Sequence, residues 1–204
     1  MVEFAKKNKL DVICANAPSR YTNLSGRKGQ KALMELSADA KKFFAPLPYD
    51  TASGKYYEKL MGLTKHDPAP PVTDTAKKAP VMPPMGMGGF NLIVAQSLWD
   101  ATMAYSISEY LKKKTGKKVM QVNGRFHSDE GFAVVTQLKK YSPKTKSLII
   151  STGSDDAFPN IDWSTHKQNG DYIIITDPAV PRTYQDYSWI RFSSLFRQKS
   201  LLFL

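Results

Sequence analysis

The stretch from Phe90 to Lys114 constrains the fold of this chain more than any other. Ile93, Leu98 and Ile107 recur at helical spacing within an otherwise apolar run, which predicts one amphipathic helix of about seven turns. Val119 to Val122 then reads as a short strand. It runs into Asn123-Gly124-Arg125-Phe126-His127, a glycine turn that delivers a histidine at the carboxyl end of that strand. Open α/β sheets collect their ligands at such ends, so the helix and the turn together predict a site.

The remaining elements fit around this pair. Val2 to Asn8 reads as the end of a helix, and Leu10 to Ala15 as a buried β-branched strand in which Cys14 is a small buried hydrophobe. After the loop Asn16 to Tyr21, the residues Ala32, Leu33, Leu36, Ala40 and Phe43 predict a helix over Gly26 to Phe44, stopped by Ala45-Pro46-Leu47-Pro48. Tyr56 to Leu63 predicts a short helix and Asp129 to Lys140 a longer one. Ser147 to Ser151 and Tyr172 to Thr176 read as further strands. Strands alternating with helices imply an α/β fold, a mostly parallel sheet flanked by helices. Residues 64–89 interrupt the pattern with six prolines and with Met82, Met85 and Met87, which predicts a long Pro/Met-rich excursion whose methionines are flexible packing residues. With 204 residues, 42% of them apolar, the chain can bury one sizeable core, so a single domain is expected.

The formal charge of +11 raises the question of a polyanionic partner. Its lysines, however, are dispersed over Lys6, Lys7, Lys9, Lys112 to Lys114, Lys117, Lys118, Lys139 and Lys140, mostly at predicted helix ends where cations offset the macrodipole. No aromatic RNA-binding motif, zinc finger or basic zipper accompanies them, so a solvated basic face is expected and specific nucleic-acid recognition is not. One cysteine excludes a disulfide framework. Met1 to Lys9 lacks the apolar core of a signal peptide, and no run reaches the ~18 apolar residues of a membrane span.

Few groups can carry chemistry. Gln96 and Asp100 stand one helical turn apart with Met103 a turn further, so they share a face, either as a site-facing pair or as a buried structural hydrogen bond. His127 follows the glycine turn, and Ser128 and Asp129 are natural caps for the next helix. A histidine so placed can ligate a metal, hydrogen-bond a ligand or exchange a proton near neutral pH. His66 and His166 have no second ligand at helical spacing and read as surface residues. Asp155-Asp156, after a strand, reads as a turn cap rather than a Mg²⁺ site.

Taken together, Asn16-Ala-Pro-Ser-Arg-Tyr21, Gly26-Arg-Lys-Gly29 with Ala32-Leu33, Gln96 with Trp99-Asp100 and Met103-Ala104, Gly124-Arg-Phe-His127 and Gly170-Asp-Tyr172 resemble the ChaN family. This family comprises bacterial, iron-regulated haem-binding uptake proteins of the Tiki superfamily. The resemblance covers residues 1–182, leaving 183–204 as a divergent tail. It implies an α/β domain that binds haem as a non-catalytic carrier, a lipoprotein-like protein in the periplasm or at the outer membrane. A homodimer holding two haems and an outer-membrane haem transporter are the implied partners. Tyrosine and histidine are the expected haem-contacting types, phenolate being a hard donor suited to ferric iron. His127 matches the family's second Gly-x-x-His motif, and the tyrosine candidates are Tyr57 and Tyr56, with Tyr21 behind them. Gln96, Asp100 and Met103 complete the expected contacts, with Trp99 beside an apolar crevice and Arg125 and Arg20 as propionate partners. Family members begin with a strand and a Gly-Glu-x-His type motif, and the resemblance therefore implies a chain incomplete at its N-terminus. Two alternatives belong to other classes: a Tiki-type metal-dependent hydrolase using Gly-x-x-His units, and a basic adaptor for anionic lipid or nucleic acid.

Overall fold

In the computed structural model, which describes residues 2–63 and 90–180, the helices form where apolar residues recur every three to four positions. They are α1 (Val2–Lys7), α2 (Ser19–Met34), α3 (Ala38–Lys41), α4 (Gly54–Leu63), α5 (Leu92–Lys113) and α6 (Val134–Tyr141). Short 3₁₀ turns occupy Arg125–His127, Asp129–Gly131 and Trp163–Thr165, and the strands are β1 (Ile150–Ser154) and β2 (Tyr172–Thr176). The protein is an α/β chain made of two units, Met1–Ile149 and Ile150–Leu204. The Pro/Met-rich stretch 64–89, with His66 and its methionines, lies outside the described residues, as does the tail 183–204.

The first unit is organised on α5. Asn91 starts it, its side chain accepting from the Val94 N–H at 3.1 Å. Lys112 and Lys113 close it at the end where cations are favoured. Leu98 and Ala101 pack with Ala17, Tyr21, Leu33 and Phe44, while Met103, Ala104 and Ile107 pack with Val134 and Leu138 of α6. A third, smaller cluster joins Tyr56 and Leu60 of α4 to Ala133.

Two hydroxyls buried on α5 are satisfied locally and then used. Ser97 Oγ donates to Ile93 O at 2.7 Å and accepts from Ala52 N at 2.8 Å. Thr102 Oγ1 donates to Leu98 O at 2.7 Å and accepts from Ala45 N at 3.1 Å. Small hydroxyls thus let the irregular chain between α3 and α4 run close against the helix. Its other backbone groups are met by amides: Gln30 donates to Tyr49 O at 2.8 Å and accepts from Tyr49 N at 3.1 Å, and Gln137 donates to Asp50 O at 2.8 Å. Where this loop is buried, at Phe44, Ala45 and Tyr49, it needs such partners, because an unpaired buried backbone group costs about as much as a lost hydrogen bond. By this route α4 is laid across α5.

Several sequence expectations are corrected here. The helix expected over Gly26 to Phe44 starts earlier and is broken: α2 begins at Ser19 and is kinked at Gly29, whose φ of 76° only glycine adopts at ease, and α3 is a separate turn capped by Ser37. The helix expected from Asp129 begins only at Val134, after three residues with positive φ, Glu130 at 61°, Gly131 at 72° and Ala133 at 52°. Leu10 to Ala15 and Val119 to Val122 have no strand ladder among the described residues. Each is extended, with Ala15 and Val119 packed on the Met103–Ile107 cluster and Gln121 Nε2 placed 3.1 Å from Met103 Sδ. Their other faces, Leu10, Val12, Met120 and Val122, are more than half exposed, and Cys14 is exposed rather than buried. Alternation predicts an extended chain, whereas a strand also requires a neighbour to pair with.

In the second unit β1 and β2 pair in parallel, Ile150 opposite Tyr172 and Ser154 opposite Thr176. Asp155, directly after β1, accepts from Ala157 N at 2.9 Å, as a turn cap should, and its other oxygen lies 2.7 Å from His166 Nε2. That contact holds its carboxyl below the usual carboxylate range. His166 is therefore a partly buried hydrogen-bond partner of Asp155 and not a free surface residue.

Candidate functional site

Three elements of the first unit converge on one carboxylate. Asp100, in the middle of α5, is 1% exposed. α4 brings Tyr56 to it, the phenol donating to Asp100 Oδ2 at 2.7 Å. The 3₁₀ turn Arg125–His127 brings the imidazole, with Nδ1 2.6 Å from Asp100 Oδ1. Residues 56, 100 and 127 are far apart in sequence and form one chain of hydrogen bonds, Tyr56–Asp100–His127.

Burial explains the Tyr56 end. Its ring lies 5.9 Å from that of Phe126 and 6.1 Å from that of Phe132. Desolvation first, and then the charge and hydrogen bond of Asp100, push its phenol far above the usual tyrosine range. Tyr56 is therefore held as a neutral donor and does not offer a phenolate. Its neighbour Tyr57, 44% exposed, is the tyrosine of this turn that stays open to solvent.

At the other end, a carboxylate can only accept, so the His127 Nδ1 contact places the proton on Nδ1. In a neutral imidazole that tautomer has its lone pair on Nε2, and among the described residues no hydrogen bond is made to that atom. The side chain is 20% exposed. Arg125, 48% exposed, is anchored through Nε at 2.7 Å to the buried Asp129. Lys59 pairs with Glu130 at 2.7 Å and sits 5.5 Å above the Phe126 ring.

The structure brings Tyr56, Asp100 and His127 of the expected set together, with Arg125 on the same turn as His127. It separates others. Met103 is buried in the packed cluster with Ala104 and Ile107, and the partly buried Trp99 donates through Nε1 to Ala17 O at 3.0 Å. Gln96 Oε1 is buried without a hydrogen-bond partner, on the same helix face as Asp100. Tyr21 is a core ring, and Arg20 lies over it at 4.9 Å. Sequence reasoning missed Phe132, Lys59, Asp129 and Glu130. Lys59 could have been found one helical turn after Tyr56, whereas Phe132 and Glu130 depend on the irregular backbone before α6.

The donor set can be tested against the metals it would fit. Among the described residues no group of three or more His, Cys, Asp or Glu side chains could hold a metal ion. A single free imidazole nitrogen suits an iron whose other in-plane donors come from a porphyrin, and the adjacent arginine suits an anionic substituent. The residues present thus fit haem. Comparison with known families points the same way: the family model described as "Haem-binding uptake, Tiki superfamily, ChaN" matches residues 1–138, a span that contains Tyr56, Asp100, Arg125 and His127. Neither a curated protein nor a solved structure gives a match. With its family model matched over two thirds of its length, the chain belongs to the ChaN family of haem-binding uptake proteins in the Tiki superfamily.

Proposed function

We propose that this protein is a non-catalytic haem carrier of iron or haem uptake, and that His127 Nε2 is its iron ligand. The observation that carries this reading is the Asp100–His127 contact at 2.6 Å, which holds the ring through Nδ1 and leaves Nε2 as its other donor atom. Haem bound there would supply the iron centre and an apolar macrocycle. Phe126 and Phe132 provide aromatic surface around Tyr56, and Arg125 is the cation for a propionate. Tyr57 is the exposed tyrosine available as a second contact. Family resemblance extends the reading to a bacterial homodimer in the periplasm or at the outer membrane, receiving haem from an outer-membrane transporter.

Titration of the purified protein with hemin, followed by Soret absorbance beside His127→Ala, tests the reading. A saturable, shifted band is expected, with the variant binding at least about tenfold more weakly. A folded protein that gives no band refutes haem carriage. That outcome would favour the other reading, a metal-dependent hydrolase in which the same His127–Asp100 pair serves as ligand or base.

A further inference from the structure

Along the chain the lysines are dispersed, but in the fold two groups of them meet at one end of the first unit. Lys6, Lys7 and Lys9 lie on and just after α1, and Lys112 to Lys114, Lys117 and Lys118 on the last turn of α5 and the chain after it. Two hydrogen bonds join the groups. Leu10 N donates to Ala5 O at 2.9 Å, folding the end of α1 onto the extended segment Leu10 to Ala15. That segment is held to the end of α5 by the Tyr110 hydroxyl, which donates to Asp11 Oδ2 at 2.8 Å. Residues 2–15 and 109–122 carry eight lysines against three carboxylates, of which Asp11 is engaged by Tyr110 and Glu109 by Lys112.

Apolar side chains stand exposed on the same segments. α1 buries nothing, and its Val2 and Phe4 are each 64% exposed. Met120 is 87% exposed, and Leu10, Val12 and Val122 are more than half exposed, while Ala15 and Val119 beside them pack on the Met103–Ile107 cluster. Apolar surface of this kind, set among lysines, marks a place of contact, because the long lysine stems can lie along it while the ammonium groups reach outward. A nucleic acid supplies phosphates but no apolar layer beneath them, so it would leave Phe4 and Met120 in water. A lipid surface with anionic headgroups supplies both.

We propose that this end of the first unit docks on an anionic lipid bilayer. The lysines meet the headgroups, and Phe4, Leu10, Met120 and Val122 enter the boundary between headgroups and acyl chains. The contact uses none of Tyr56, Asp100 and His127, and it is independent of haem.

The test is flotation of the full-length protein with vesicles of phosphatidylcholine, alone or with about 30% phosphatidylglycerol, at low and high salt. Binding to the anionic vesicles is expected, weakened by salt and much weaker on phosphatidylcholine. Replacing Lys113, Lys117 and Lys118 together by Gln should weaken it at least about tenfold. Replacing Lys31, Lys55 and Lys167 by Gln removes the same net charge from other exposed positions and should weaken it less than about threefold. Phe4→Ser with Met120→Ser should weaken binding severalfold and leave its salt dependence in place. Equal losses from the two lysine sets would reduce the effect to net charge and overturn the proposal. Binding untouched by the two serines would overturn it as well, and so would a wild-type protein that stays behind when the anionic vesicles float. A DNA duplex that captures the protein where the vesicles do not would assign the surface to nucleic acid instead. Far-ultraviolet circular dichroism checks the fold of each variant, and if one set misfolds the other still decides.

Discussion

At the scale of single residues, several buried hydroxyls meet a bonded partner, although that of Tyr141 does not. Tyr49 is the clearest instance. Its ring is buried in the main cluster and its hydroxyl donates to Val94 O at 2.9 Å, one turn into α5. Desolvation pushes the phenol up from 10.0 to about 12, with a smaller opposing effect from the Ser25 hydroxyl. The folded state therefore keeps this proton to higher pH than the unfolded chain does. The resulting stabilisation is fully present below pH 10.0 and is lost as pH rises through that value toward about 12. Tyr141, raised to about 12 by burial, adds to the same slope. Urea unfolding at about pH 8 and about pH 11 should show wild-type stability falling between the two. Tyr49→Phe should fall less steeply, after a loss of about 1 kcal/mol at the lower pH for the missing hydrogen bond. A variant with an undiminished slope would remove Tyr49 as its source.

At the scale of elements, what could be read in the sequence is what depends on local periodicity. α5 was legible because 22 residues keep a helical apolar period between an asparagine cap and a basic last turn. β2 was legible as a short β-branched run, Tyr172–Thr176. Asp100 and His127 were legible as candidates, one from its place on the α5 face and the other from the glycine turn. The part of Tyr56 was not, since its hydroxyl acts as a donor only because α4 crosses α5 at a sequence separation of 44. Nor could the sequence show that Leu10 to Ala15 has no ladder among the described residues, because strand pairing is a property of two segments. Cys14 illustrates the cost of that gap: a residue expected in a core is exposed once its segment is unpaired. The start of α5 offers a direct check. Asn91 caps Val94 N through its side chain, and its own N–H donates to Gly26 O on α2 at 2.6 Å. Asn91→Ala should keep the backbone tie and lose the cap, costing about 1 kcal/mol in urea unfolding with an unchanged slope. No loss would mean that the tie to Gly26 alone sets where the helix begins.

At the scale of the whole molecule, the two units divide the work unequally. All three apolar clusters, and the Tyr56–Asp100–His127 chain with Arg125 beside it, lie within Met1–Ile149. The family match ends at residue 138, inside that unit. Ile150–Leu204 contributes a parallel strand pair with Ile150, Tyr172 and Ile174 exposed on one face, and its own buttress, the Asp155–His166 pair, closes within it. Parallel strands are ordinarily covered on both faces, so this pair draws little stability from burial, whereas α5 is enclosed by α2, α4 and α6. A fragment of residues 1–149 should accordingly keep its helical signal in far-ultraviolet circular dichroism. It should also take up hemin with an affinity within about threefold of the full chain, since every group assigned to the site is present in it. The comparison has a definite opposite outcome. A fragment that keeps its helical signal but loses the Soret band would refute the assignment of the whole site to residues 1–149, because Tyr56, Asp100, Arg125 and His127 would then be insufficient to hold hemin.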